Sequence, residues 1–285
     1  MIDSWLDNFR TEPERIQALY LLSKFVYFGD RQIRQLLRAM YREKFKIPLI
    51  AKIRKDLSGI TDLTRINMLF QKELSKTRFI GMGAPSESGG HLLYHFRQEN
   101  QLSKDWFINA SDILSPAIKT KSGRLSFKDP SIERYIFIDD FCGSGDQALD
   151  YSVNTVEEMK SSNSKVEVYY LVLVGQESGL NRIRSESKFT KVEAIYELDN
   201  SFKCFHSESR VFRNPPAGIT LKDSQDTSLQ YGKHIVNIEH ALGYKNSQLL
   251  MGFQHNTPDN TLPIIWHQGD ERFPWTPIFK RYPKF

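Results

Sequence analysis

The feature that most constrains the fold of this 285-residue chain is an apolar, β-branched run at 166–175, VEVYYLVLVG. A strand of this composition is buried on both faces, which is typical of the centre of a parallel sheet covered by helices. Shorter apolar runs lie at 79–82, 106–108, 135–138 and 192–198. Helix-like segments alternate with them at 89–99, 145–161 and 176–187. The alternation predicts an α/β fold with a mainly parallel sheet between residues 77 and 200.

The segments before and after this core have different patterns. Residues 11–14, Thr-Glu-Pro-Glu, combine an N-cap threonine, an early proline and a glutamate three residues on, which is a capping box. Apolar residues at helical spacing follow, and they predict a helical N-terminal region over 1–76. Residues 201–285 are rich in proline and aromatic residues and lack clear periodicity. We expect them to form an irregular C-terminal extension, or hood, packed on a core at 77–200.

Basic residues are concentrated in the N-terminal region. Between Arg31 and Lys76 there are twelve Lys or Arg residues and four acidic ones, a net charge of +8 in a chain whose total is +5. Such a surface suits nucleic acid, an acidic protein partner or a polyphosphate. It is equally typical of a solvated helix face.

Composition also excludes several classes of protein. No apolar run approaches the roughly 20 residues that a membrane span needs, and the N-terminus lacks the apolar core of a signal peptide. The two cysteines, Cys142 and Cys204, provide neither a disulfide framework nor metal-ligand spacing. We therefore expect a cytoplasmic protein with no membrane association.

Two adjacent carboxylates, Asp139 and Asp140, follow directly on one of the buried apolar runs. Like charges at the end of a buried strand are costly unless a positive or hydrogen-bonding group compensates them. In a parallel sheet, ligands bind just beyond the carboxyl ends of the strands. Gly143 and Gly145 allow a tight turn in which backbone N–H groups and the Ser144 hydroxyl converge on an anion. The motif therefore predicts a site for a sugar phosphate.

The stretch YIFIDDFCGSGDQ, residues 135–147, resembles the phosphoribosyl diphosphate (PRPP) signature of type I phosphoribosyltransferases. The resemblance implies that Asp139 and Asp140 are the catalytic pair, which binds the ribose hydroxyls and helps to hold Mg²⁺. It also implies a 5′-phosphate loop formed by Cys142, Gly143, Ser144, Gly145, Asp146 and Gln147. The sequence departs from the pattern at Gly143, where a hydroxyl residue is common. Asp146 and Gln147 replace small or hydroxyl residues, and Asp146 adds a negative charge beside the expected phosphate.

The order of the surrounding segments extends the resemblance over about residues 77–200. In such enzymes a diphosphate-binding loop follows the first core strand, and three residues stand at that position: Gly81, Met82 and Gly83. A long flexible loop precedes the acid-pair strand, and here it is 109–133. It carries three basic residues that the resemblance places around the diphosphate: Lys119, Lys121 and Arg124. A Rossmann-like sheet of phosphoribosyltransferase type is thus implied, and a Rossmann-like sheet with an unrelated acidic turn is the alternative.

The C-terminal extension contains the segment NTPDNTLPIIW, residues 256–266. With this segment and the helical N-terminal region, the whole chain resembles the phosphoribosyltransferase-like proteins of bacterial conflict systems, which act against phage. In a transferase of this type, irregular chain holds the acceptor base. Asn256, Asn260 and Trp266 are the residues expected in that role, and bracing of the tail is the alternative role for them.

The resemblance implies a protein that binds PRPP or a nucleotide through the Asp139–Asp140 loop. Its implied activity is to form or cleave an N-glycosidic bond, with Mg²⁺ as cofactor, as an effector of antiphage defence. Two alternatives of other classes stay open. The fold can serve as a ligand-sensing module after losing catalysis, or the basic region at 31–76 can dock on nucleic acid or on a protein partner.

Overall fold

The computed structural model describes residues 1–83, 88–119 and 125–281. The chain divides into two compact units: 34–197, called the sheet unit below, and 1–33 combined with 198–285, called the terminal unit. This division differs from the three consecutive segments expected from the sequence, because the first 33 residues group with the C-terminal ones. No helix among the described residues is both long and apolar enough to cross a membrane.

The bounds of the regular elements are as follows. The strands are β1 (Val26–Phe28), β2 (Thr77–Gly81), β3 (Leu114–Lys119), β4 (Leu125–Phe127), β5 (Arg134–Cys142), β6 (Glu167–Gln176), β7 (Lys191–Leu198) and β8 (Met251–Phe253). The helices are α1 (Ile2–Leu6), α2 (Glu12–Ser23), α3 (Asp30–Ala39), α4 (Ile47–Asp56), α5 (Leu63–Ser75), α6 (Ser88–Glu99), α7 (Asp146–Tyr151), α8 (Glu157–Ser162), α9 (Glu177–Glu186), α10 (Leu221–Ile235) and α11 (Pro263–Trp266). π-Helical turns at Met40–Lys46 and Ser152–Val156 join α3 to α4 and α7 to α8.

A sheet with the strand order β2-β5-β6-β7 forms the centre of the sheet unit. β5 runs parallel to both β2 and β6, which confirms the mainly parallel α/β sheet predicted from the alternating runs. β6 has a neighbouring strand on each side, and residues 170–174 are at most 1% exposed. The prediction that this run is a central strand buried on both faces is therefore correct.

Buried side chains pack on both faces of this sheet. On one face, Phe79 of β2 contacts aromatic rings of the preceding and following helical segments, with centroids 5.2–6.4 Å apart: Tyr41, Phe45 and Phe96. On the other face, residues of β5 and β6 form a core cluster with α7, α8 and α9: Tyr135, Phe137, Tyr170, Ala148, Met159 and Leu180. Because side chains alternate along a strand, Asp139 shares the face of Tyr135 and Phe137, and Asp140 lies on the opposite face.

The long loop expected at 109–133 contains a hairpin. β3 and β4 pair antiparallel, with Leu114 opposite Phe127, and the Phe127 ring stacks on Tyr135 at a centroid distance of 5.5 Å. This corrects the prediction of a loop without strands, because a few apolar side chains in a polar stretch are enough to anchor a short hairpin to the core. Residues 120–124, between the two strands, lie outside the described residues.

The terminal unit is held together by residues from both ends of the chain. The ring of Phe9 meets the rings of Trp5, Tyr231 and Trp275 edge-on at centroid distances of 5.1–5.2 Å. The indole N–H groups of Trp5 and Trp275 both donate to the carbonyl of Ile264, at 2.7 and 2.9 Å. These contacts explain why the first residues belong with the last ones.

A strand also interrupts the N-terminal region, which the sequence pattern predicts to be helical throughout. β1 pairs in parallel with β8, with Val26 opposite Met251 and Phe28 opposite Phe253. The helical periodicity on either side of β1 is real, since α2 and α3 flank it. A three-residue strand whose partner lies far away in the sequence gives no local pattern by which to predict it.

Candidate functional site

The predicted diphosphate loop and the acid pair meet at the carboxyl edge of the sheet. Gly81 is in register with Ile138, and the Met82 N–H donates to the Ile138 carbonyl at 2.9 Å. Asp139 and Asp140 come directly after Ile138. The edge therefore brings residues 81–83 beside the acid pair, while residues 84–87 of the same loop lie outside the described residues.

Asp139 is buried and engaged by the protein itself. The residue is only 7% exposed. Its Oδ1 accepts a hydrogen bond from the Asp140 N–H at 2.9 Å. Oδ2 accepts from the Tyr170 hydroxyl at 2.7 Å. Burial, and then the neighbouring Asp140 charge, raise the pKa of Asp139 well above its usual value. Asp139 thus tends toward the neutral, protonated form inside the sheet unit.

Asp140 has a different environment. It is half-buried rather than buried, and it lies on the opposite face of β5 from Asp139. The two carboxyl groups nevertheless interact, because a side-chain hydrogen bond with Asp140 contributes to the raised pKa of Asp139. Of the two acids, Asp140 is the more accessible to solvent.

Cys142 packs against the same buried cluster as Asp139. It is 3% exposed, and burial raises the pKa of its thiol to about 12, with the charge of Asp139 as the next cause. A thiol held in this form is a poor nucleophile. Both cysteines are free and buried, so Cys142 fits the loop as a packing residue.

The turn after β5 lies directly against the start of α9. Gly145 has φ of +82° and precedes the first residue of α7; a side chain there would strain the backbone and approach the Gly179 carbonyl to 2.9 Å. A Cβ on Gly179 would lie 2.0 Å from the Gly143 carbonyl oxygen. The two glycines therefore fix the path of the loop by allowing the backbones to touch.

The side chains of the loop bind one another and a residue of α9. The Ser144 hydroxyl donates to Asp146 Oδ2 at 2.6 Å, and Arg182 Nη1 donates to Asp146 Oδ1 at 2.5 Å. The Asp146 charge that departs from the expected pattern is thus compensated by Arg182. The remaining position of the predicted phosphate loop, Gln147, is exposed.

Sequence reasoning did not single out Tyr170 or Arg182. Tyr170 stands in a run of aliphatic residues, and a tyrosine in such a strand signals a buried hydroxyl that needs a partner. Arg182 follows Gly179 by three residues, so the two lie on one side of α9. Only the fold shows that this side faces the loop.

A family model described as PRTase-CE matches residues 2–281. The chain belongs to the PRTase-CE family. PRTase is the usual abbreviation of phosphoribosyltransferase, so the family match confirms the resemblance that the acid-pair motif carries. It covers both the sheet unit and the terminal unit.

Similar solved structures have low sequence identity to this PRTase-CE chain. The xanthine-guanine-hypoxanthine phosphoribosyltransferase of Helicobacter pylori is 9% identical, with 61% of this chain and 89% of that one covered and a TM-score of 0.30. The orotate phosphoribosyltransferase of Aeropyrum pernix is 14% identical, with 45% of this chain and 62% of that one covered and a TM-score of 0.26. The AQ2163 protein of Aquifex aeolicus is 12% identical, with 44% of this chain covered and a TM-score of 0.29. The match covers 56% of that protein, little more than half of its length. No curated protein matches the chain.

The three predicted base-binding residues lie in the terminal unit. The Asn260 amide donates to the Ser247 hydroxyl at 2.7 Å, and the Asn256 side-chain oxygen accepts from the Thr257 N–H at 3.0 Å. The Trp266 indole N–H donates to the Thr261 carbonyl at 2.8 Å. These contacts brace the tail segment, and a role in holding a base stays a prediction.

The predicted basic clamp lies largely outside the described residues. Lys119 ends β3, where it is in register with Leu125. Lys121 and Arg124 fall in the range 120–124, which the structure does not describe. Their predicted role at the diphosphate stays a prediction.

The acid pair is the position at which the family resemblance places Mg²⁺. In the described ranges, no three His, Cys, Asp or Glu side chains come together in a way that could hold a metal ion. Asp139 Oδ1 and Oδ2 each accept one hydrogen bond within the protein, and its role at Mg²⁺ stays a prediction. Asp140 fits a role in which it reaches Mg²⁺ through water, with the ligand supplying the other oxygens.

Proposed function

We propose that this PRTase-CE protein binds a phosphoribosyl compound, PRPP or a nucleotide, at the carboxyl edge of its parallel sheet. The observation that carries the proposal is the register of β2 with β5, which sets residues 81–83 beside the acid pair and its glycine turn. This edge of the sheet then offers backbone N–H donors for phosphoryl groups at two places, residues 81–83 and the glycine turn. The acid pair lies between them and offers a carboxylate for the ribose hydroxyls.

In the proposed complex the residues have distinct roles. Asp140 accepts hydrogen bonds from the ribose hydroxyls. Asp139, which is hydrogen-bonded to Tyr170, forms part of the buried wall of the site. Backbone N–H groups of the turn at 143–147 bind the 5′-phosphate. Residues 81–83, with the basic side chains predicted at 119–124, bind the diphosphate when PRPP is the ligand.

The proposed reaction forms or cleaves an N-glycosidic bond at ribose C1. In the forming direction, the C1–O bond to diphosphate breaks and diphosphate keeps the electron pair. A nitrogen of the acceptor base then bonds to C1 and loses its proton to solvent. Asp140 orients the sugar while positive charge develops on its ring. Mg²⁺, held mainly by ligand oxygens, would supply charge neutralisation for the departing diphosphate.

We also propose that this activity serves antiphage defence in a bacterium. The support is the family resemblance of the whole chain, including the tail segment at 256–266, rather than the chemistry of any one residue. An activity that consumes or alters nucleotides fits an effector that limits phage replication.

The bonding of Asp139 favours a second candidate function, a ligand sensor without catalysis. Asp139 is buried and bonded to Tyr170, and a ligand held by Asp140 alone would have one acid instead of two at the sugar. A fold that binds the ligand without turning it over would tolerate this arrangement. Turnover separates the two candidates.

The basic helices give the docking alternative a concrete surface. Arg38 and Arg42, one turn apart, are exposed, as are Arg65 and Lys72 of α5. Arg34 is instead paired with Glu99 at 3.2 Å. Replacement of Arg38 and Arg42 by glutamate is therefore the test of a nucleic-acid or acidic-protein partner, and unchanged binding of such a partner would reject this surface.

Binding and turnover of PRPP by Asp140→Asn test the proposed function. The native protein is expected to bind PRPP with Mg²⁺ in a calorimetric titration, and Asp140→Asn to weaken binding at least about tenfold, as for loss of a charge-assisted hydrogen bond. Asp150→Asn, an exposed acid of α7, removes the same charge and should leave binding unchanged.

Product release then identifies the class of protein. Diphosphate released from PRPP, or free base released from nucleotides, identifies an enzyme, and binding without either product identifies a sensor. If neither the native protein nor its variants bind PRPP or nucleotides, the proposed function is wrong.

A further inference from the structure

The predicted phosphate loop already contains a negatively charged side chain, the Asp146 carboxylate. Oδ2 accepts the Ser144 hydroxyl at 2.6 Å, and Oδ1 accepts Arg182 Nη1 at 2.5 Å. A hydroxyl and a guanidinium are both groups that bind phosphate in proteins. The side-chain donors at this turn therefore face a carboxylate where the family resemblance places a phosphate.

Arg182 is fixed to the loop by several contacts. Its Nη1 also donates to the Ser144 carbonyl at 3.4 Å, and it lies three residues after Gly179, which touches the loop backbone. Its Nε forms an ion pair at 3.3 Å with Glu186, which lies one turn further along α9. The Arg182 side chain is 40% exposed, so a ligand from solution can reach the guanidinium.

We propose, resting on the function proposed above, that Asp146 competes with the ligand's phosphate for Ser144 and Arg182. Arg182 is then the side chain that binds the phosphate after Asp146 has moved away. A carboxylate and a phosphate of like charge repel each other when both lie beside the same two donors. The loop therefore binds a phosphoribosyl ligand only when the Asp146–Arg182 pair opens, which raises the ligand concentration that the protein needs.

Calorimetric titration with ribose 5-phosphate tests this competition, because that compound contains the sugar and the 5′-phosphate alone. Asp146→Asn keeps the shape of the side chain and removes its charge, so affinity is expected to rise about tenfold, the effect of one charge-assisted hydrogen bond at a partly exposed site. In the Asp146→Asn background, Arg182→Gln is expected to lower affinity by a similar factor.

Glu186→Gln is the matched control. It removes a carboxylate from the same arginine and changes the net charge equally, but Glu186 contacts Arg182 away from the loop. Its affinity for ribose 5-phosphate should stay within about twofold of the native value, as expected for an exposed ion pair. Asp146→Ala, with its unfolding midpoint measured, provides a second variant that removes the competing carboxylate.

The outcomes separate this inference from the proposed function. Tighter binding by Asp146→Asn and Asp146→Ala, but not by Glu186→Gln, supports the competition. If the native protein binds and both Asp146 variants bind equally or more weakly, Asp146 is not a competitor and the inference is wrong, while the proposed function stands. If no folded variant binds ribose 5-phosphate, PRPP or a nucleotide, both are wrong.

Discussion

At the scale of single residues, the acid pair is tolerated because the chain compensates one member internally. The two carboxyl oxygens of Asp139 accept hydrogen bonds from the Asp140 N–H and from the Tyr170 hydroxyl. Asp140 lies on the other face of β5 and is more exposed. Two identical neighbours thus have different environments: Asp139 is buried and Asp140 is half-buried.

The raised pKa of Asp139 predicts a pH-dependent stability. Its ordinary value is 3.8, and burial raises the pKa in the folded state. Below the unfolded-state pKa, both states are protonated and the contribution to stability is complete. As pH rises toward the folded-state pKa, the unfolded chain loses its proton first, so stability falls by up to about 1.4 kcal/mol per pH unit.

Asp139→Asn removes this titration. Urea unfolding between pH 4 and pH 7 should therefore show that the stability of the variant, relative to the native protein, rises with pH. Any hydrogen bond lost by the amide adds a constant offset rather than a slope. Asp150→Asn, at an exposed position, should keep the native pH dependence. Parallel profiles for native protein and Asp139→Asn would contradict the prediction.

Tyr170→Phe should destabilise the sheet unit. The change removes the donor to a buried carboxyl oxygen and leaves that oxygen without its partner, at a cost of about 1–3 kcal/mol. Tyr169→Phe is the matched control, because the Tyr169 hydroxyl bonds to Glu167, which water can reach. Chemical denaturation of the two variants should give a clearly larger loss for Tyr170→Phe, and equal losses would mean that the Asp139 contact stabilises the fold no more than the contacts of the Tyr169 hydroxyl do.

At the scale of elements, α9 determines the shape of the predicted phosphate loop. Gly179, in the first turn of α9, touches the Gly143 carbonyl, and Gly145 approaches the Gly179 carbonyl in return. Arg182, one turn later, holds the loop's acid. The loop therefore depends on a helix more than 30 residues away, as well as on its own glycines.

Gly179→Ala is expected to disturb both folding and ligand binding. Its Cβ would lie 2.0 Å from backbone oxygen, so α9 or the loop must shift, and a core backbone shift of this kind costs about 1–3 kcal/mol or more. Gly59→Ala, at φ of +84° with open space around it, measures backbone strain alone, about 1–2 kcal/mol. PRPP binding should fall for Gly179→Ala and stay unchanged for Gly59→Ala.

The sequence predicts elements whose signals are local. β6 was predictable because a long apolar run is typical of the centre of an α/β sheet. The acid-pair motif was predictable because its glycines follow the two acids directly in the sequence. The β3–β4 hairpin was missed because its strands are short and stand in a largely polar stretch. Tyr170 and Arg182 acquire their roles through pairing with residues 31 and 36 positions away, which no local pattern encodes.

At the scale of the whole molecule, the two ends of the chain build one unit and the sheet unit lies between them in the sequence. Trp5 and Trp275 converge on the carbonyl of Ile264, and Phe9 fills the space between their rings and Tyr231. The tail segment at 256–266 is part of this arrangement. We therefore expect the order of the tail to depend on the N-terminal residues, although Trp5 and Ile264 are 259 positions apart in the sequence.

Trp5 variants test this dependence. Trp5→Ala removes a fully buried ring and should cost about 3–5 kcal/mol. Trp5→Phe keeps most of the packing, and the Ile264 carbonyl keeps the bond from Trp275, so its cost should be near 1 kcal/mol. Hydrogen exchange should show that Trp5→Ala exposes amides at 249–266 before those of β5 and β6 in the sheet unit. Equal exposure of both regions would mean that the ends of the chain do not form a unit of their own.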